Sequence, residues 1–271
     1  MTRSNEHAQV MAAKPGGPCA PKNMLKETVR RFLPRQLKEH RIRRGPLAGR
    51  RIYTSWHDYP GAIRGDTESP LLEWFARNVK SGETWLDIGA HYGYTAIALA
   101  RLVGQRGRVI AFEPVLSTAG CIARTREANG LSQLQIVPLG LSSSPGLVPC
   151  RLPVWRGMAD QTALSRDWEE LLFMTGFDGF WESLGEGNLG GMKIDGVKID
   201  VQGMEGEVLS GMIGTLLRWH PKLVVEFHSG VEREIILDLL EDCGYHRKPV
   251  AIESPANGIE DDKSYAFISK S

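Results

Sequence analysis

Long apolar runs are missing from the sequence. No stretch approaches the ~20 residues needed to cross a bilayer, and no signal-type apolar core of roughly 7–15 residues stands near the start. A membrane span and a secretory leader are therefore not expected, and the expected location is cytoplasmic. Cysteine is scarce as well. Cys19, Cys121, Cys150 and Cys243 show no paired spacing, which excludes a zinc-finger type of site and a disulfide framework. They read as buried or incidental thiols in a reducing compartment, and no metal ligand set is assigned. Two nucleotide signatures are absent too. There is no Gly-Lys-Ser/Thr of the P-loop kind, and counted from Gly89 a dinucleotide fingerprint would need glycines where His91 and Tyr94 stand. Without a close-approach glycine for a pyrophosphate, NAD is disfavoured.

Charge is low in sum but unevenly placed. Residues 1–51 hold 13 Lys/Arg against 3 Asp/Glu, leaving 20 against 29 in the other 220 of the 271 residues. A segment of about +10 thus precedes a body of about −9, an asymmetry that suggests an anionic partner. Residues 1–23, rich in Pro and Gly, read as disordered. Lys22 to Arg51 is expected to be a basic helix with a thin apolar stripe of Met24, Val29, Phe32, Leu33 and Leu37. It could touch an anionic surface or dock on the acidic body of its own chain. Specific nucleic-acid binding is not expected, because no aromatics interleave with the charges.

The chain is organised around Glu83-Thr-Trp-Leu-Asp-Ile-Gly-Ala-His-Tyr-Gly-Tyr94 and the apolar residues after it. Trp85, Leu86 and Ile88 suit a strand covered on both faces, Gly89 and Gly93 a tight turn, and Ala96, Ile97, Leu99, Ala100, Leu102 and Val103 a helix. A second apolar strand, Gly107 to Phe112, leads to Glu113-Pro114, with Glu113 24 positions after Gly89 (113 − 89). Nucleotide-binding βαβ units place an acid at about that interval, where its carboxylate accepts ribose hydroxyls. An ordinary crossover with a surface Glu is the plainer alternative.

Further on, Lys198-Ile-Asp-Val-Gln-Gly-Met-Glu205 and Leu223 to His228 each read as a strand reaching acidic residues. Adjacent strand residues face opposite ways, so Glu226 and His228 share a face. Asp200, Glu205, Glu226 and His228 are expected to converge. A histidine oriented by a carboxylate suits a general base; carboxylates could instead hold a divalent ion; and a structural histidine at a strand end is the third reading.

With Asp87-Ile-Gly-Ala-His91, Glu113-Pro114 and Lys198 to Glu205 in order, the chain resembles the FkbM-type family of class I S-adenosylmethionine-dependent methyltransferases. His91 stands where that family has Asn, and Gln202 where it has Glu. The resemblance implies an α/β fold: a doubly wound, mostly parallel seven-stranded sheet, here with a basic helical N-terminal extension over 1–51, a methyltransferase domain over 52–271 and an insertion at about 143–195. It implies S-adenosylmethionine held by Asp87, Gly89, Ala90, His91, Gly93 and Glu113, with Gly140 near the adenine. It further implies His228, Asp200 and Glu226 at the reacting hydroxyl, with Glu205 and Glu68 towards the acceptor. That acceptor would be a hydroxyl of a saccharide, glycolipid or secondary metabolite. The alternatives are N-methylation on the same cofactor, or a non-catalytic cofactor-fold protein that binds an anionic partner through its basic arm.

Three local expectations complete the reading. Thr67 caps a helix through Leu71 to Val79. Ser165 opens a helix through Leu171, Leu172 and Phe173. Trp155, Trp168, Phe177, Phe180 and Trp181 either cover an apolar or sugar acceptor or form a satellite core.

Overall fold

The computed structural model describes residues 32–151, 169–185, 191–253 and 258–270. The readings of residues 1–23, Ser165, Trp155 and Trp168 lie outside them.

Strands Lys38–Arg41 (β1) and Arg51–Thr54 (β2) form an antiparallel hairpin where a basic helix was expected. The apolar stripe of the expected helix stops at Leu37. Beyond it Ile42, Leu47 and Ile52 are all buried, a spacing that serves a turned-back hairpin rather than one helix face. Backbone N–H groups of Arg51 and Tyr53 donate to Asn129 Oδ1 (3.0 Å) and Thr125 Oγ1 (2.9 Å), tying the hairpin to the body. The packed body therefore begins well before residue 52.

Helices Pro60–Arg64 (α1) and Ser69–Asn78 (α2) follow. Glu68, in the left-handed region at φ 54°, is the N-cap of α2 instead of Thr67, and no side chain caps that end. Its unusual backbone turns Glu68 towards the central cleft. The nucleotide-type unit comes next: Thr84–Ile88 (β3), Tyr94–Val103 (α3), Arg108–Phe112 (β4), Leu116–Asn129 (α4) and Leu134–Val137 (β5). After three short strands the chain returns as Gly196–Ile199 (β9), then helices Glu205–Ser210 and Ile213–Trp219, strand Lys222–Phe227 (β10), helix Arg233–Asp242, and strands Val250–Ala251 (β11) and Lys263–Phe267 (β12).

The main sheet has seven strands in the order β11-β12-β10-β9-β3-β4-β5. β10, β9, β3, β4 and β5 run parallel, while β12 is antiparallel to both its neighbours. Apolar residues cover both faces, as a parallel sheet requires. Trp85, Val109, Ala111 and Val224 face one core; Leu86, Ile88, Ile110, Phe112, Val197, Ile199, Val225 and Phe227 face the other. A Cβ at Gly196 would lie 2.2 Å from the Trp85 ring, so glycine lets the fully buried indole press against β9. The chain runs outward from β3 through β4 to β5, then restarts at β9 on the other side of β3. Ligands of doubly wound sheets bind at such a switch point, outside the carboxyl ends of the strands.

Gly140–Leu141 (β6), Gly146–Arg151 (β7) and Glu169–Thr175 (β8) make a separate three-stranded sheet, ordered β6-β8-β7. Leu171 to Phe173 are thus strand, not the expected helix. Leu172 and Met174 are buried while Leu171 and Phe173 are exposed, a two-residue alternation hidden because both faces are apolar. Phe177 and Trp181, on helix Phe177–Ser183, stack at 5.3 Å and are buried, with Phe177 and Phe180 edge-on to Phe112. These aromatics are core.

Candidate functional site

A cleft of about 280 Å³ opens at the switch point. Its first wall is the turn after β3. Gly89 is at φ 77°, and a Cβ there would lie 1.8 Å from the Asp200 carbonyl oxygen, so only glycine lets this turn close against the end of β9. Ala90, His91, Tyr94 and Thr95 continue the wall. Thr95 Oγ1 donates to Asp87 Oδ2 at 2.7 Å, which places the buried Asp87 beneath the turn rather than in it. Gly93 caps α3 at φ 84°, and neither Gly93 nor Asp87 is among the residues lining the cleft.

Glu113 stands at the end of β4. Its carboxylate accepts the backbone N–H of His91 (2.9 Å) and of Val115 (3.0 Å), so it is locked in place across the turn. Burial outweighs these two bonds and pushes its pKa up to about 8. Around it Ile88, Phe112, Pro114, Leu139, Leu141, Val148, Leu172 and Met174 form an apolar slot, with Gly140 at its edge.

The opposite end is acidic. The two-residue period of β9 and β10 brings Lys198, Asp200, Glu226 and His228 to one face, and strand pairing sets Lys198 directly beside Asp87. Lys198 Nζ lies 3.1 Å from Asp200 Oδ2, 3.4 Å from Asp87 Oδ1 and 3.3 Å from the Gly89 carbonyl. Burial works against its charge, but Asp200 and Asp87 outweigh that and raise its pKa. Asp200 is lowered in spite of burial, by Lys198 first and His228 next. Glu226 is raised to about 8 by burial and by Asp200 and Glu68, and Glu68 is raised by burial and Asp200.

Besides Asp87 and Gly93, two more expected site residues do not line the cleft. Glu205 is fully buried, with Oε1 accepting the Gly203 N–H (3.1 Å) and facing His228 Nδ1 (2.8 Å), so it cannot touch an acceptor. His228 sits behind Asp200 and Glu226, each 3.6 Å from its Nε2. Burial lowers its pKa, but the Glu205 bond, Asp200 and Glu226 together raise it to about 9. His228 thus stands behind the acidic wall rather than on it. Asp200 and Glu226 do line the cleft, as do Glu68, His91 and Gln202. These last three all adopt positive φ (54°, 50° and 57°), three of five such non-glycine residues among those described. Backbone strain of this kind gathers at functional sites.

Sequence reasoning assigned no part to Lys198, Asp58, Tyr59 or Tyr94, which also line the cleft. A lysine between Val197 and Ile199 in a buried strand, two residues before an aspartate, was the readable signal for the first. The tyrosines carried none. Tyr94 Oη is buried and has no hydrogen-bond partner among the described residues.

Residues 182–247 match the sequence profile described as the Methyltransferase FkbM domain. That match covers 66 of the 271 residues, about a quarter of the chain. The matched segment contains Lys198, Asp200, Gln202, Glu205, Glu226 and His228, while the glycine turn and Glu113 lie before it. No curated protein sequence matches the chain significantly. Solved structures of similar shape include the FkbM methyltransferase of Methylobacillus flagellatus KT, at 15% identity and TM-score 0.46, covering 73% of this chain and 50% of that one. The chain thus spans about half the length of that protein. Others are the Aeropyrum pernix fibrillarin with natively bound S-adenosyl-L-methionine (16%, TM-score 0.45, 86% and 88% covered) and a putative Streptococcus mutans methyltransferase with S-adenosylhomocysteine (11%, 0.45, 73% and 94%).

Proposed function

We propose that the chain is an S-adenosylmethionine-dependent O-methyltransferase acting on a hydroxyl of a saccharide, glycolipid or secondary metabolite. The observation that carries this is the division of one cleft into an apolar slot ending at Glu113 and an acidic end at Asp200, Glu226 and Glu68. The residues fit the cofactor. The fixed carboxylate of Glu113 suits two neighbouring ribose hydroxyls, the slot between Phe112, Leu141 and Met174 suits a flat base, and the unpartnered Tyr94 hydroxyl suits the amino-acid end. When bound, S-adenosylmethionine supplies a methyl group on a cationic sulfur.

The chain's own part is alignment, charge and proton removal. Asp200, kept ionised by Lys198, favours positive charge at that end of the cleft. The acceptor hydroxyl reaches the wall formed by Asp200 and Glu226, and its proton passes to that pair. His228 and Glu205, behind them, act as positioning residues. Glu68 and Gln202 border the acceptor side.

Among the described residues no helix is long and apolar enough to cross a membrane. Cys121 and Cys243 are buried free thiols, which fits a reducing, cytoplasmic setting. His40, Arg41 and Arg43 line a second, open groove on the hairpin, the described part of the arm to which an anionic contact is assigned.

Calorimetric titration with S-adenosylmethionine, S-adenosylhomocysteine and NAD tests the cofactor, followed by transfer of labelled methyl to hydroxylated glycans. Binding of the first two alone is expected. Binding of neither would overturn the reading.

A further inference from the structure

Three donor atoms from two neighbouring strand ends meet at the acidic end of the cleft, those of Asp200 and Glu226 on its wall and Nε2 of His228 just behind them. Asp200 Oδ1 and Glu226 Oε1 each lie 3.6 Å from His228 Nε2, and one ligand atom from each residue falls within 4.8 Å of the others. The remaining polar atom of each side chain is held from behind. Lys198 Nζ takes Asp200 Oδ2 at 3.1 Å, Ser264 Oγ donates to Glu226 Oε2 at 3.3 Å, and Glu205 Oε1 fixes His228 Nδ1 at 2.8 Å. Metal-ligating histidines give their other ring N–H to a carboxylate or carbonyl, and ligating carboxylates are in turn hydrogen-bonded. The Gln202 amide closes the same point, 2.8 Å from His228 Nε2 and 3.3 Å from Asp200 Oδ1. Turned about its last torsion, it presents its carbonyl oxygen there.

A second observation is independent of the three ligands. Glu205 is fully buried, and its Oε2 has no hydrogen-bond partner among the described residues. Both contacts of this carboxylate run through Oε1, so its second oxygen is left without a donor and favours positive charge at the imidazole it orients.

We propose that Asp200, Glu226 and His228, with Gln202 as fourth donor, bind a divalent first-row metal ion at the wall of the cleft. Two carboxylate oxygens and one imidazole nitrogen are a mixed hard and borderline set, suited to Mn²⁺, Fe²⁺, Co²⁺ or Zn²⁺ rather than to a soft ion. Metal–ligand distances of about 2.0–2.2 Å require the three atoms to draw together by less than ~1 Å, within reach of side-chain torsions. An ion there lowers the proton affinity of a coordinated hydroxyl. The inference therefore deepens the proton-removal part of the function proposed above, but ion binding is measured without any methyl donor, so the two can fail separately.

The test uses the full chain stripped with EDTA and titrated with Mn²⁺, free ion being counted by electron paramagnetic resonance. One ion per chain is expected, with nitrogen coupling from a directly bound imidazole in the spectrum. Asp200→Asn and His228→Gln should each weaken binding by about tenfold or more, and Glu205→Gln by about 10–100-fold through loss of the orienting bond. Absence of saturable binding to the wild-type chain, or a spectrum without nitrogen coupling, overturns the proposal and needs no variant to fold. Unchanged affinity in folded Asp200→Asn and His228→Gln overturns it equally.

Discussion

Nδ1 of His228 lies 2.8 Å from Oε1 of Glu205, and both side chains are closed off behind the acidic end of the cleft. Neither lines the cavity, yet the pair stands directly behind Asp200 and Glu226, which do.

Removing one member should therefore act on stability and on turnover together. His228→Ala leaves the Glu205 charge buried and unpaired, which costs about 3–5 kcal/mol. Urea unfolding should show that loss. In the folded fraction methyl transfer should slow while S-adenosylmethionine affinity stays near wild type. Wild-type turnover would refute the positioning role.

Glu113 gives a pH dependence with a definite sign. Its folded pKa, about 8, lies above the ordinary 4.5. Its contribution to stability is thus full below the ordinary value and is lost as pH rises through about 8. Ribose hydroxyls, however, donate to the carboxylate, so cofactor binding should tighten as pH rises towards 8 and should release a proton. Calorimetry in two buffers of different ionisation enthalpy measures that proton, and finding none sinks the ribose assignment. Glu113→Gln should weaken S-adenosylmethionine by about tenfold or more, the worth of one hydrogen bond to a charged group.

Lys198 is the single ammonium between two carboxylates. Lys198→Met should destabilise by about 3–5 kcal/mol, because Asp87 and Asp200 then repel each other in a buried place. Adding Asp87→Asn should recover part of the loss in a double-mutant cycle. Strictly additive losses would mean that the two residues are not coupled.

At the glycine turn, Gly89→Ala must force a Cβ against the Asp200 carbonyl at a left-handed backbone. The backbone alone costs ~1–2 kcal/mol, and the overlap adds to it, so the melting temperature should fall and the cleft should lose its cofactor. His91, at φ 50°, should tolerate Asn, which visits that region readily, but not the β-branched Val. Equal melting temperatures for the two variants would show that this backbone is not strained.

Much of this was readable in the chain. Trp85 to Ile88 gave a buried strand, Gly89 and Gly93 a turn, and the apolar residues from Ala96 onward a helix, because local period and sheet burial agree there. Glu113 and Asp200 were placed at strand ends by spacing. What failed were the places where one face does not decide. Leu171, Leu172 and Phe173 are all apolar, so period two is invisible in them. The hairpin of β1 and β2 is basic on its outer side, and its few inward residues are spread over a turn. Glu205 and His228 were expected to converge with Asp200 and Glu226, but spacing alone did not show that both stand behind the wall, with the Glu205 carboxylate holding the imidazole.

β8 is a partition one strand thick. Leu172 and Met174 wall the cleft, and Leu171 and Phe173 meet solvent on the other side of the same backbone. The two properties that engineers usually find entangled, how a protein behaves in solution and what it accommodates, are here dealt to alternate residues. Leu171 and Phe173 can be made polar to change solubility, and Leu172 and Met174 reshaped to change what fits, each pair without direct contact with the other's environment.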